Sequence, residues 1–128
     1  MKKLFKIYLG IKLNSSDLIF IGYYLKSHKR ILFRRILIAR FKHISNKYNI
    51  EIPLSFNNIG ENLLLAHANN ITVNSRAKIG DNCILFKGCT IGSIRSGKRE
   101  GVPIIGNNVV IGINAFCGGG LLLGTTCL

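Results

Sequence analysis

Among the residues able to do chemistry, one histidine stands apart. His67 lies in LLLAHANN, between an apolar run and two asparagines that favour turns, and it is one of only three histidines in the chain. Imidazole, with an ordinary pKa near 6.5, is largely neutral at pH 7 and can take a proton from an attacking hydroxyl. Such a base needs its other ring nitrogen held and a backbone that presents it to a cleft. A second polar stretch, SIRSGKREGVP at residues 93–103, is basic and glycine-containing, and it suits either an anionic ligand or plain solvation. His28 and His43 fall in a basic region and read as surface residues.

The elements that must position these residues follow a period of six. Apolar openers stand at Ile59 and Leu65, then at Val73, Ile79, Leu85 and Ile91, then at Ile105, Ile111, Cys117 and Leu123. A small residue comes four places later at Ala77, Cys83, Cys89 and Ala115, and glycine commonly follows the opener. Three six-residue units make one triangular coil, so openers stack on openers and small residues on small residues. Ten units give a little over three coils. A sandwich of antiparallel strands would not hold such a period. The fold class expected is mainly β, a parallel β-helix of hexapeptide repeats preceded by a short helical N-terminal arm.

Two breaks interrupt the register, and an insertion in a solenoid loops outward, where function tends to lie. The first is a two-residue slip between Leu65 and Val73, which contains His67. The second lies between Ile91 and Ile105, where 14 residues stand in for two units.

The charge is uneven. Of 18 Lys and Arg, 12 lie in the first 50 residues, where Asp17 is the one acid; from Glu51 onward six basic side chains meet four acidic ones. The reading divides the chain into a basic arm, residues 1–50, and a nearly neutral repeat region, residues 51–128. In the arm, Asp17 is placed to cap a first helix that breaks near Ser27 and His28. A second helix shows Phe33, Ile36, Leu37 and Phe41 towards one side and arginines elsewhere. That stripe either packs on the first coil or lies on an anionic membrane surface. Nucleic-acid binding is not expected, since no stacking platform or known module accompanies the charge.

The N-terminal MKKLFKIYLGIKLN carries lysines through any apolar run and no small-residue cleavage site, so no export signal is read. The apolar stretch Leu18 to Leu25 is far short of the roughly 20 residues that span a bilayer. Four cysteines at 83, 89, 117 and 127 form no CxxC pair, which points to buried thiols in a reducing cytoplasm and to no metal site.

The order of motifs, IEIP, then IGENLLLAH, AKIGDN, the basic loop and PIIGNNVVIG, resembles the catalytic domain of serine acetyltransferases and related polysaccharide acetyltransferases over about residues 17 to 128. The resemblance implies a left-handed β-helix, a homotrimer, and transfer of acetyl from acetyl-CoA to a hydroxyl at a cleft between subunits. It places the catalytic base at His67 and the carboxylate that holds it at Glu51. Gly97, Lys98, Gly112 and Ile113 match segments lining the coenzyme A groove. Three departures bear on the acceptor: Ala66 replaces the Asp expected before the histidine, Val102 rather than a second histidine precedes Pro103, and the helical region is short. Losing a carboxylate for the serine ammonium favours a sugar hydroxyl over L-serine. The expected location is cytoplasmic, with the inner face of the membrane as a variant. Leu128 closes the last hexad without a capping coil, so the repeat region reads as lacking its last coils. The rival reading is a truncated, non-catalytic β-helix module.

Overall fold

The hexads wind into a three-sided parallel prism. The structure, a computed structural model, describes residues 2–30, 32–120, 122–124 and 126–127, with residues 122, 123, 126 and 127 described by their backbone. One face holds β1 (Ile50–Glu51), β3 (Ile71–Val73), β6 (Thr90–Gly92) and β9 (Phe116–Gly118). A second holds β4 (Lys78–Ile79), β7 (Ile104–Ile105) and β10 (Leu122–Leu123), joined by Ile59, which bridges to Ile79. The third holds β2 (Leu64–Ala66), β5 (Ile84–Phe86), β8 (Val110–Ile111) and β11 (Thr126–Cys127).

The register stacks openers on openers. Leu65 lies beside Leu85 and Leu85 beside Ile111; Val73 lies beside Ile91 and Ile91 beside Cys117. Ile79 lies beside Ile105, and Ile105 beside Leu123. The small positions Ala77, Cys83, Cys89 and Ala115 are buried inside the corners, as are the thiols of Cys83, Cys89 and Cys117. The side chain of Cys127 and the whole of Leu128 lie outside the described residues.

Glycine follows an opener for a steric reason at Gly60 and Gly80. At Gly80 a Cβ would run into the Asn107 side chain and the Gly106 backbone of the next coil. The Asn107 carboxamide oxygen fills that space and accepts the Asp81 N–H at 2.8 Å. Asp81 does the same for Glu61 one coil earlier, at 2.8 Å. Left-handed backbone at Asn62, Asn82 and Asn108, with φ of 59°, 58° and 59°, completes the same corner in three successive coils.

The pairing of Ile79 with Ile105 corrects the count at the second break: the 14 residues from Ile91 to Ile105 take the place of one unit, not two. The excess leaves the prism as a hairpin, in which Ile94 and Gly101 exchange backbone hydrogen bonds of 3.0 and 2.9 Å.

Among the described residues the arm contains three helices, α1 (Lys2–Leu9), α2 (Ser15–Ser27) and α3 (Arg34–Tyr48). α1 was not expected from the sequence; Gly10, at φ 74°, ends it by donating to the Ile7 carbonyl while Ile11 donates to that of Lys6. Asp17 is not the cap of α2. Asn14 is, accepting the Asp17 N–H at 3.2 Å, while the Asp17 carboxylate accepts the Asn14 N–H at 2.9 Å, a reciprocal capping box. α3 buries Leu37, Phe41 and Ile44 against α1, α2 and β1, so its apolar stripe is consumed by packing and Phe33 stands half exposed outside it. Among the described residues no helix is long and apolar enough to cross a membrane.

Phe56 fastens the arm to the first coil. It sits in a 3-10 turn (Phe56–Asn58), is fully buried, and packs edge-on against Tyr23 and Phe41 at 5.1 and 6.5 Å. Gly22 of α2 lies where any Cβ would strike the Phe56 ring.

Candidate active site

His67 follows β2 at the corner where the chain passes from the third face to the first. Its φ of 50° is left-handed, a conformation that histidine tolerates better than most non-glycine residues, and its side chain is exposed. The equivalent corner of later coils uses Gly88 at φ 74° and Asn114 at φ 57°. Backbone hydrogen bonds join these corners in a ladder, Gly88 to Asn69 at 2.9 Å and Asn114 to Lys87 at 3.0 Å. By the same ladder Asn70, at φ 54°, is the counterpart of Gly88, so the two extra residues of the first coil fall within residues 67–69; the Asn70 N–H reaches the Tyr48 carbonyl at 3.0 Å and its side chain accepts from Asn49 at 2.7 Å. The end of α3 therefore fixes the corner that displays the imidazole.

Glu51 is exposed on β1, paired with Thr72 of β3, the strand into which the His67 corner leads. The two side chains are not hydrogen-bonded to one another, and neither makes a side-chain hydrogen bond or ion pair to another described residue. Gly112 and Ile113 lie on the same prism edge as His67, two coils on, which is roughly 10 Å at the usual strand spacing. Gly112 is buried and Ile113 is 53% exposed. Gly97 and Lys98 sit elsewhere, at the tip of the hairpin that leaves the next corner, after β6. Gly97 has φ 98° and open space around it. The hairpin is pinned to the following coil by the Gly120 N–H, which donates to Arg99 at 3.0 Å.

Sequence reasoning missed the surroundings of Glu51. An open cleft of about 420 Å³ between α3 and the first face is lined by Glu51, Lys42, Asn46 and Ser75 over an apolar floor that includes Phe41 and Val73. No spacing rule links an α3 lysine to a serine in the turn after β3; only the folded arm brings them together. Tyr23 was missed as well. Its hydroxyl donates to the Gly60 carbonyl and accepts the Leu63 N–H at 2.9 Å, so α2 holds the coil segment that leads into β2. Burial pushes the Tyr23 phenol above its usual pKa, against the lowering effect of the Leu63 hydrogen bond. Among the described residues no group of three His, Cys, Asp or Glu side chains is placed to hold a metal ion.

Fold and register define a left-handed parallel β-helix of the hexapeptide-repeat class, and solved structures share it. Serine acetyltransferase from Brucella abortus strain S19 matches 80% of this chain with a TM-score of 0.53 and 27% identity, using 40% of its own length. Serine acetyltransferase isoform 3 from Entamoeba histolytica, solved in complex with cysteine, matches 84% of this chain and 38% of its own, with a TM-score of 0.54 and 24% identity. In sequence, the serine acetyltransferase of Synechococcus elongatus is 32% identical over 68 residues, 52% of this chain and 27% of that protein. That of Helicobacter pylori strain 26695 is 30% identical over 66 residues, 52% of this chain and 39% of its own. No protein-family profile matches the chain. The chain is serine acetyltransferase-like in both sequence and fold, and it spans between about a quarter and two-fifths of the length of the serine acetyltransferases it matches in sequence.

Proposed function

We propose that this protein is an O-acetyltransferase that moves acetyl from acetyl-CoA to a hydroxyl, with His67 as general base. The observation that carries the reading is His67 itself: the register slip holds it at a left-handed, exposed corner of a serine acetyltransferase-like β-helix. One imidazole nitrogen would take the acceptor hydroxyl proton as its oxygen attacks the thioester carbonyl. The tetrahedral intermediate would then collapse, breaking the carbon–sulfur bond, and the same proton would pass to the departing CoA thiolate. Glu51 is the proposed holder of the second ring nitrogen. That a Brucella abortus serine acetyltransferase was solved with coenzyme A supports acetyl-CoA as the donor.

A homotrimer completes the reading. Leu64, Ile84 and Val110 lie side by side on the outer surface of the third face, beside the His67 edge, and Leu64 is 55% exposed. An outward apolar column of this kind suits burial against a neighbour. Because the hairpin and His67 leave different corners of one chain, Gly97 and Lys98 would meet His67 across a subunit boundary. There the lysine would face the donor's phosphates and the glycine amides its pantetheine arm. Sedimentation at three times the chain mass checks the assembly. The proposed place of work is the cytoplasm, where thiols such as Cys83 stay reduced.

Ala66, where the matched motif has Asp, favours a sugar hydroxyl of a surface polysaccharide, with L-serine the rival acceptor. The test is CoA-thiol release with L-serine and with nucleotide-sugar or oligosaccharide acceptors. His67→Asn keeps a residue tolerant of φ 50° and should lower turnover by roughly 10² to 10⁴, about 3 to 5 kcal/mol, with the fold intact. Undiminished turnover in His67→Asn would remove the histidine mechanism. Silence of the wild type with every acceptor would favour a non-catalytic β-helix module.

A further inference from the structure

The arm leaves a set of large apolar side chains uncovered. Phe5 is 65% exposed, Leu9 46%, Ile11 50%, Leu32 90% and Phe33 50%. Four-residue spacing puts Phe5 and Leu9 on one side of α1, with Tyr8 between them, while Ile7 on the opposite side is buried. The Phe33 ring meets Tyr8 edge-on at 5.0 Å, which joins the segment before α3 to that side of α1. The Gly10 turn carries the chain on to Ile11 at the end of the same helix.

The charge around this patch has one sign. Lys2, Lys12, Lys29 and Arg30 are exposed. Asp17, the one acid of the first 50 residues, is 1% exposed and is turned inward to Lys6 at 3.3 Å and Lys3 at 4.0 Å. The arm thus shows solvent a cationic surface without a carboxylate, together with exposed apolar side chains.

We infer that α1 and the Leu32–Phe33 segment form a docking surface for an anionic lipid bilayer. Phe5, Leu9 and Leu32 enter the boundary between headgroups and acyl chains, and the surrounding lysines and Arg30 meet the lipid phosphates. A second copy of the same patch is a poor occupant, because it would set lysines against lysines. Nucleic acid is a poor one too, since Phe33 is already engaged edge-on with Tyr8 and three of the five exposed side chains, Leu9, Ile11 and Leu32, give bases little to stack on. The inference moves the membrane contact from α3, whose stripe is buried, to α1. It does not rest on acetyl transfer.

The full chain is tested by flotation with vesicles of phosphatidylcholine alone and of phosphatidylcholine mixed with phosphatidylglycerol. Binding to the mixed vesicles only, weakened by salt, is expected. Phe5→Glu with Leu32→Glu should lower the partition at least about tenfold. Arg76→Gln with Lys78→Gln lowers the net charge by the same two units at the exposed surface of the prism and should leave binding unchanged. Lys2→Gln with Lys12→Gln, again a change of two charges, is the second patch variant, and an unchanged thermal melt establishes that each variant folds. Absence of binding at low salt overturns the proposal, as does equal loss in the patch and prism variants, which would mean attraction by net charge alone. It also fails if the patch variants change the sedimenting mass or abolish binding to DNA while vesicles are ignored.

Discussion

In the β-helix, Leu65, Leu85 and Ile111 share one column because the backbone register returns the same repeat position to the same face in each coil. Where the arm meets the prism, Phe56, Gly22, Tyr23 and Phe41 meet once, and nothing elsewhere among the described residues repeats their contact. The interior of the prism is therefore distributed, each coil supporting the next through similar terms, as expected of a solenoid. The seam between arm and prism is concentrated in a few side chains. The same seam fixes Asn70, and through it the corner that carries His67.

The largest effect that separates the two regions is expected at the seam. Phe56→Ala removes a fully buried ring enclosed by α2, α3 and the first coil, a change that costs about 3 to 5 kcal/mol. Denaturant unfolding followed by circular dichroism gives the loss, and proteolysis should then release α1 to α3 before the coils. A loss under about 1 kcal/mol would mean that the seam is as distributed as the prism.

The prism was legible in the sequence and the seam was not, for one reason. A repeat states its own register, so the openers, the small corner residues and the slip around His67 could be read without knowing any contact. Period six does not say how many faces an insertion crosses, so the 14 residues from Ile91 to Ile105 read as two units although their ends belong to adjacent faces. In the arm the signals were local and partly misread. Asn14 with Asp17 three residues later is a visible capping box, in which the asparagine and not the acid is the cap. Gly10 marks the end of α1, a signal masked by the lysines before it, which interrupt any apolar periodicity. The cleft beside Glu51 depends on α3 lying along β1, a tertiary fact that no window of sequence contains.

A smaller effect at the same seam has a pH signature. Tyr23→Phe leaves the Gly60 carbonyl and the Leu63 N–H without their partner, at a cost of about 1 to 3 kcal/mol. Because burial raises the phenol's pKa in the folded protein, the folded state holds this proton more tightly than the unfolded one. The contribution is fully present below the ordinary tyrosine pKa and is lost as pH rises through the raised value. The wild type should therefore lose stability more steeply than Tyr23→Phe above about pH 10. Parallel alkaline curves would show that the hydroxyl's surroundings do not distinguish its two forms.

The smallest effect tests the prism on its own terms. Asn82, at φ 58°, occupies a left-handed corner and accepts the Asn62 side-chain N–H at 3.0 Å, so it contributes both a backbone preference and one rung of a ladder. Asn82→Gly keeps the conformation and loses the rung; Asn82→Ala loses both. Alanine should cost about 1 kcal/mol more than glycine in thermal or denaturant unfolding, since it must hold a left-handed φ without a side chain that favours it. Asn108 has almost the same φ one coil on, so the same pair of substitutions there should give a similar alanine–glycine gap. Equal gaps at the two corners would support a prism held by repeated terms of one size. A gap at Asn82 several times that at Asn108 would instead place the concentrated support of the seam inside the first two coils.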